Sequence, residues 1–195
     1  MKKLLLLGFL SMFVGTQAHA GFISIVNGAD MAGIEVTATF SNSTTETIVW
    51  EAQSADSGGV SGTDWSLSQV GDSFGELGPL GVVGAWTIFK GNSDLVSLFI
   101  NLLPASFVFD TAYGDASANG SGNGREFVPA TPIGYAFSGL VQDELYTGLT
   151  LDNISDGETQ FVIDTDLVSA SAPSTVSILL LSLLGLVMSS RRKQA

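Results

Sequence analysis

The chain has no cysteine, which excludes disulfides, thiolate nucleophiles, thiolate-bound zinc and iron–sulfur clusters. Its one histidine, His19, lies close to the N-terminus. Charge is thin, at 13% of 195 residues, where an ordinary soluble domain carries about 25%. Positive charge is scarcest, with 7 Lys and Arg against 19 Asp and Glu. Glycine and proline, at 23 and 5 residues, stay well below the roughly 25–30% share that marks low-complexity or collagen-like chains. A disordered or fibrous protein is therefore not expected, and stability has to come from packing.

The few charges divide the chain into three parts. Five of the basic residues, Lys2, Lys3, Arg191, Arg192 and Lys193, sit at the two ends. All 19 acidic residues fall between Asp30 and Asp166, and with Lys90 and Arg125 as its only cations the middle carries a net −17. Such a body repels phosphate, so nucleic acid is excluded as a partner.

At the N-terminus Met1-Lys2-Lys3 is a short cationic region and Leu4 to Val14 an apolar stretch. Ala18-His19-Ala20 then supplies the small residues of an Ala-x-Ala cleavage site. The pattern predicts a signal peptide over residues 1–20, read through Ala18 and Ala20 and removed after Ala20. The apolar run is too short to span a bilayer core of about 30 Å. Cleavage would take His19 with it and leave the mature chain without an imidazole.

At the other end Val176 to Met188 is apolar except for two serines. As a helix, Thr175 to Ser190 would be about 24 Å long at about 1.5 Å per residue, a short membrane span that needs some thinning of the bilayer. Arg191, Arg192 and Lys193 follow directly. A positive cluster stays on the cytoplasmic side, so the expectation is a transmembrane helix at about 175–190 that holds the body on the periplasmic side of an inner membrane.

This tail, from Ser171-Ala172-Pro173-Ser174-Thr175 through the apolar run with Leu183-Leu184-Gly185-Leu186 to Arg191-Arg192-Lys193, resembles the PEP-CTERM sorting signal of Gram-negative bacteria. Pro173 matches the last proline of that motif and Ser174 its small follower, while Ala172 and Ser171 stand where the motif has glutamate and its first proline. The resemblance covers about the last 25 residues. It implies recognition and cleavage by a membrane protease of the exosortase type, passage to the cell surface or extracellular matrix, and association with extracellular polysaccharide or biofilm. Simple tail anchoring, which needs no protease, is the alternative.

Between the two signals residues 21–170 have the size of one domain. Ile34 to Phe40 alternates apolar and polar residues, and Thr45 to Trp50 is β-branched and aromatic, with Ser41-Asn42-Ser43-Thr44 as the turn of a hairpin. Further short runs at 22–26, 65–70, 85–89, 95–100, 106–109, 134–140, 145–151 and 159–163 are separated by turn residues. About ten short strands predict an all-β fold, a single β-sandwich or jelly-roll-like domain. A helix over 94–103 stays open, because short apolar runs do not distinguish the two periods. Two segments rich in small polar residues, 54–62 and 113–125, are expected to be exposed loops.

The residue inventory removes most chemistry from the mature chain. Without histidine or cysteine there is no Ser-His-Asp triad, Cys-His pair, imidazole base or His-bound zinc. Lys90, the one lysine of the body, sits in Phe89-Lys90-Gly91-Asn92, the polar end of a strand with no nucleophile motif around it. A carboxylate glycosidase needs only two acids, yet no pair stands out. Calcium accepts oxygen ligands, and the close pairs are Asp110 with Asp115, Asp152 with Asp156, and Asp164 with Asp166. None has the spacing of a twelve-residue calcium loop, so solvated acids are the default and no cofactor is expected. Among the aromatic residues Trp50 and Trp86 fall inside apolar strand patterns and belong to the core, whereas Trp65, between Asp64 and Ser66, could stack on a sugar. The expected function is a non-catalytic, exported surface or matrix component. The alternative is a carbohydrate-binding or calcium-dependent adhesion module.

Overall fold

A computed structural model describes residues 26–73, 84–112, 124–142 and 145–167, all within the compact unit Phe22–Val168. The signal peptide, the sorting motif at Ser171–Thr175, the apolar run after it, Arg191, Arg192 and Lys193, and the strand expected at 22–26 except for Val26 lie outside the described residues. So do Tyr113, Asp115 and most of the second expected loop.

Thirteen strands are described: β1 (Glu35–Phe40), β2 (Thr45–Val49), β3 (Glu51–Ala52), β4 (Ser57–Gly62), β5 (Trp65–Val70), β6 (Trp86–Lys90), β7 (Leu95–Asn101), β8 (Phe107–Asp110), β9 (Val128–Pro129), β10 (Gly134–Gln142), β11 (Leu145–Asp152), β12 (Gly157–Val162) and β13 (Asp164–Leu167). They form two antiparallel sheets packed as a sandwich. The first runs β13-β8-β11-β7-β1-β2 with β10 on the other side of β11, and the second runs β3-β4-β5-β6-β12-β9.

Alternation explains which side each strand buries. In β1, Val36 and Ala38 face in while Glu35, Thr37 and Thr39 do not, and the hairpin to β2 pairs Glu35 with Val49 and Thr39 with Thr45. In β5 the inward set is Trp65, Leu67 and Gln69. Segment 95–101, where a helix stayed open, is strand β7, with Leu95, Leu98 and Ile100 in the core. The core lies between the sheets. Trp86 from the second sheet has its ring centroid 5.3 Å from Trp50, 5.7 Å from Phe161 and 6.2 Å from Phe109, which belongs to the first sheet.

The segment 54–62, expected as an exposed loop, is corrected: residues 57–62 form β4, paired with β5 from Ser57–Val70 to Gly62–Trp65. Its glycines serve close approach. A Cβ on Gly58 would collide with the Gly28 carbonyl and the Trp50 indole nitrogen, and that indole donates to the same Gly28 carbonyl at 2.7 Å. Glycine here lets the strand lie against a buried tryptophan.

β7 and β8 lie successively along one edge of β11, through Asn101–Gly148 and Phe109–Tyr146. Between them a short 3-10 turn, Leu103–Ala105, pushes outward and ends on Ser106 with φ 62°. One interrupted strand thus serves two neighbours, β1 beside β7 and β13 beside β8.

Candidate functional site

The described residues bring three acidic side chains together. Asp110 ends β8, Asp164 and Asp166 lie on β13, and one carboxylate oxygen from each falls within 4.8 Å of the others. Register causes this. Asp164 is paired directly with Asp110, and Asp166 with Val108, so the i and i+2 acids of β13 share a face with the acid across the ladder. Thr165 and Phe109, which alternate with them, face the other way, Phe109 toward Trp86 and Thr165 with its hydroxyl 3.8 Å from Met31 Sδ. The acids therefore occupy the face of the first sheet turned away from the second.

They are buried nonetheless, at 2–4% exposure. Ser73, just after β5, reaches the β13 edge: its hydroxyl donates to Asp164 Oδ1 at 3.2 Å, and the Thr165 N–H donates to the same oxygen at 2.9 Å. The Ala112 N–H donates to Asp110 Oδ1 at 3.2 Å. Gly124 packs so tightly on Asp110 that a Cβ there would overlap its carboxylate, and the Arg125 N–H donates to the Asp110 carbonyl at 3.0 Å.

Desolvation and crowding set the chemistry. Removal from water disfavours the charged form, and like charges within a few ångströms add to it. Burial first, then the Asp166 carboxylate, and to a lesser degree Asp110, push Asp164 up to about 8 against the opposing hydrogen bonds from Ser73 and Thr165. At neutral pH Asp164 therefore carries a proton. Three carboxylates are also donors suited to a hard cation, although calcium asks for six to eight oxygens.

The other acids named in the sequence do not converge in this way. Asp152 accepts from Asn153 Nδ2 at 2.7 Å. Asp156 is exposed and pairs with Lys90 Nζ at 3.3 Å, and the same ammonium donates to the Ile154 carbonyl at 3.1 Å. Lys90 thus fastens the loop between β11 and β12.

Trp65 is corrected. It is 2% exposed, because the alternation of β5 turns it inward, and its ring is not presented to a sugar. Its indole nitrogen donates to Glu46 Oε2 at 2.8 Å, and the Thr63 N–H donates to the same oxygen at 3.0 Å. Trp50 and Trp86 are in the core as expected. These donors, Thr63 first and Trp65 second, hold the Glu46 carboxyl below its ordinary range. A lowered carboxyl stabilises the fold above the ordinary carboxylate range, and the contribution is lost as pH falls through the folded value. The Trp65 indole N–H resonance is expected to move as the wild-type protein is acidified below about pH 5 and to stay fixed in Glu46→Gln; a resonance that moves equally in both would show that the titration belongs to another group.

The triad was half visible in sequence, through Asp164-Thr165-Asp166. No spacing rule brings in Asp110, 54 positions before Asp164, because strand pairing alone does so. Among the described residues no helix is long and apolar enough to cross a membrane. No protein family, curated protein or solved structure matches the chain.

Proposed function

We propose that this chain is a non-catalytic, exported β-sandwich module that its PEP-CTERM-like tail delivers, after exosortase-type cleavage, to the cell surface or extracellular matrix, where it associates with exopolysaccharide. The observation that carries this reading is the order of segments in the tail: Ser171-Ala172-Pro173-Ser174-Thr175, an apolar run, then Arg191-Arg192-Lys193. Two further features support it. The body lacks histidine and cysteine once residues 1–20 are removed, and the acids that cluster in it are buried within the sheet's own hydrogen bonding. The acidic surface suits a protein that must stay soluble outside the cell.

The test is the intact mass of the protein from membranes and from medium, in a native-type host and in a strain lacking exosortase. The expected result is loss of residues 1–20 in every fraction and, in the released form of the native-type host alone, loss of everything beyond the Ser171–Thr175 region. A tail intact through Ala195 and membrane-bound in both strains would overturn the reading and leave an anchored periplasmic-side domain.

A further inference from the structure

Of the described aromatic residues, Phe89 and Phe99 alone neither join the core nor touch another ring. Phe89 stands out from the second sheet, 47% exposed, with Ser66 and Glu158 as its cross-strand neighbours. Phe99 is different. It lies in the middle of the first sheet, on the face turned away from the second, because Leu98 and Ile100 on either side of it point into the core. Its ring leans across Gly148 of β11, where a Cβ would come within 2.8 Å of Cε2 and 3.0 Å of Cζ. The glycine lets the ring lie down on the sheet, half-buried, instead of standing up from it. Polar side chains surround it in fixed positions. Thr37 and Thr150 are its direct partners on β1 and β11, and the Thr37 hydroxyl is held by that of Thr47 at 2.8 Å. One row along, Asn101 is paired with Glu35 and donates to its Oε2 at 3.5 Å. One row the other way, the Asp152 carboxylate lies over Gly134, where a Cβ would overlap it.

We propose that this face binds a neutral polysaccharide, with one hexose stacked on Phe99 and the hydroxyls around and beside it bonded to Thr37, Thr150, Asn101, Glu35 and Asp152. The proposal rests on the reading of the chain as an exopolysaccharide-associated module and gives that association a site. A hexose combines two chemistries. Its C–H groups form an apolar patch whose hydrogens suit the electron-rich face of an aromatic ring, and its rim is a circle of hydroxyls that both donate and accept. The surroundings of Phe99 answer both. The two carboxylates accept, and the amide and the threonine hydroxyls donate and accept, on strands about 4.8 Å apart. One ring among a few placed polar groups is how small-ligand sites are lined, whereas the centre of a protein interface gathers aromatic residues and sheds charge. Charge then selects among glycans. Both charged groups around the ring are acids, in a body of net −17, so a uronic-acid polymer is repelled and a neutral one is not.

The test uses the full-length chain in a mild detergent without a sugar headgroup, since such a headgroup would compete for the site. Retention is measured on cellulose and mannan, two neutral polymers, and on alginate, an acidic one, with soluble oligomers of each as competitors. The wild-type chain is expected to be held by a neutral polymer, released by its oligomer, and not held by alginate. Phe99→Ala is expected to weaken binding by about tenfold or more, Phe99→Tyr to restore it, and Phe89→Ala to leave it unchanged. Gly148→Ala keeps every side chain that would touch the sugar but lifts the ring off the sheet, and is expected to weaken binding as Phe99→Ala does. Each variant is compared at a temperature where its melting curve shows it folded. Binding to a neutral polymer that survives Phe99→Ala, or that falls equally in Phe89→Ala, would overturn the site and leave the exopolysaccharide reading in place. Equal retention on alginate would overturn the choice of a neutral glycan. No retention on any of the polymers would overturn the site and the glycan association together, while sorting is read separately from the mass of the tail.

Discussion

Asp164→Asn is expected to unfold at nearly the same temperature as the wild-type protein near pH 4 and at a clearly higher one at pH 8. The folded Asp164 carboxyl holds its proton up to about 8, whereas the unfolded one releases it around its ordinary 3.8. Below the unfolded value the group makes no difference. Between the two values the unfolded state is the one that sheds the proton, so wild-type stability falls as pH rises, by up to about 1.4 kcal/mol per pH unit, and levels off above about 8. Asparagine has no proton to lose, and its amide oxygen can still accept from Ser73 and Thr165, which both donate to Oδ1 of the wild-type aspartate. With about 2–4 °C of midpoint per kcal/mol for a chain of this size, several kcal/mol would separate the melting curves by about 10 °C. Circular dichroism melts from about pH 4 to pH 9 at fixed ionic strength, in the presence of a chelator so that no cation replaces the proton, would show the gap opening with pH. A gap of the same size at every pH would mean that Asp164 does not hold the proton.

Trp86→Ala is expected to cost about 3–5 kcal/mol in urea unfolding, a large share of the total stability of a domain. Trp86 is fully buried and touches aromatic rings from both sheets, so its loss leaves a cavity where they meet. Trp86→Phe separates two contributions. It keeps most of the ring contact and removes the indole N–H, which is buried without a hydrogen-bond partner among the described residues; relief of such a donor is worth about 1–3 kcal/mol. Phenylalanine should therefore cost much less than alanine. Equal cost in the two variants would show that the N–H of Trp86 finds a partner in solution.

The parts of the fold legible from sequence are those written in local alternation. Val36 and Ala38 against Thr37 and Thr39 set the inward face of β1, and Asn42-Ser43 make its turn, with Ser43 at φ 65°. β4 was not legible, because glycine and serine mark exposed loops and tightly packed strands alike. Only the buried indole of Trp50 beside Gly58 distinguishes the two. Trp65 misled for a related reason. Its polar neighbours, Asp64 in the turn and Ser66 on the outward side of β5, said nothing about the ring between them, whereas the Trp-x-Leu-x-Gln alternation did. The acidic cluster depended on register over a long separation, and a single sequence contains no such register.

The order in which the strands join their sheets has a kinetic consequence. β12 completes the second sheet against β6, and β13, starting two residues after β12 ends, completes the first against β8. Neither half is complete until the final stretch, 157–167, has arrived from 50 or more positions downstream of β6 and β8. Pairings of such high contact order slow folding into the millisecond-to-second range. A chain delivered from its N-terminus would remain open almost to its last strand, and a truncation that removed only 157–167 would leave two unfinished sheets rather than a slightly smaller domain.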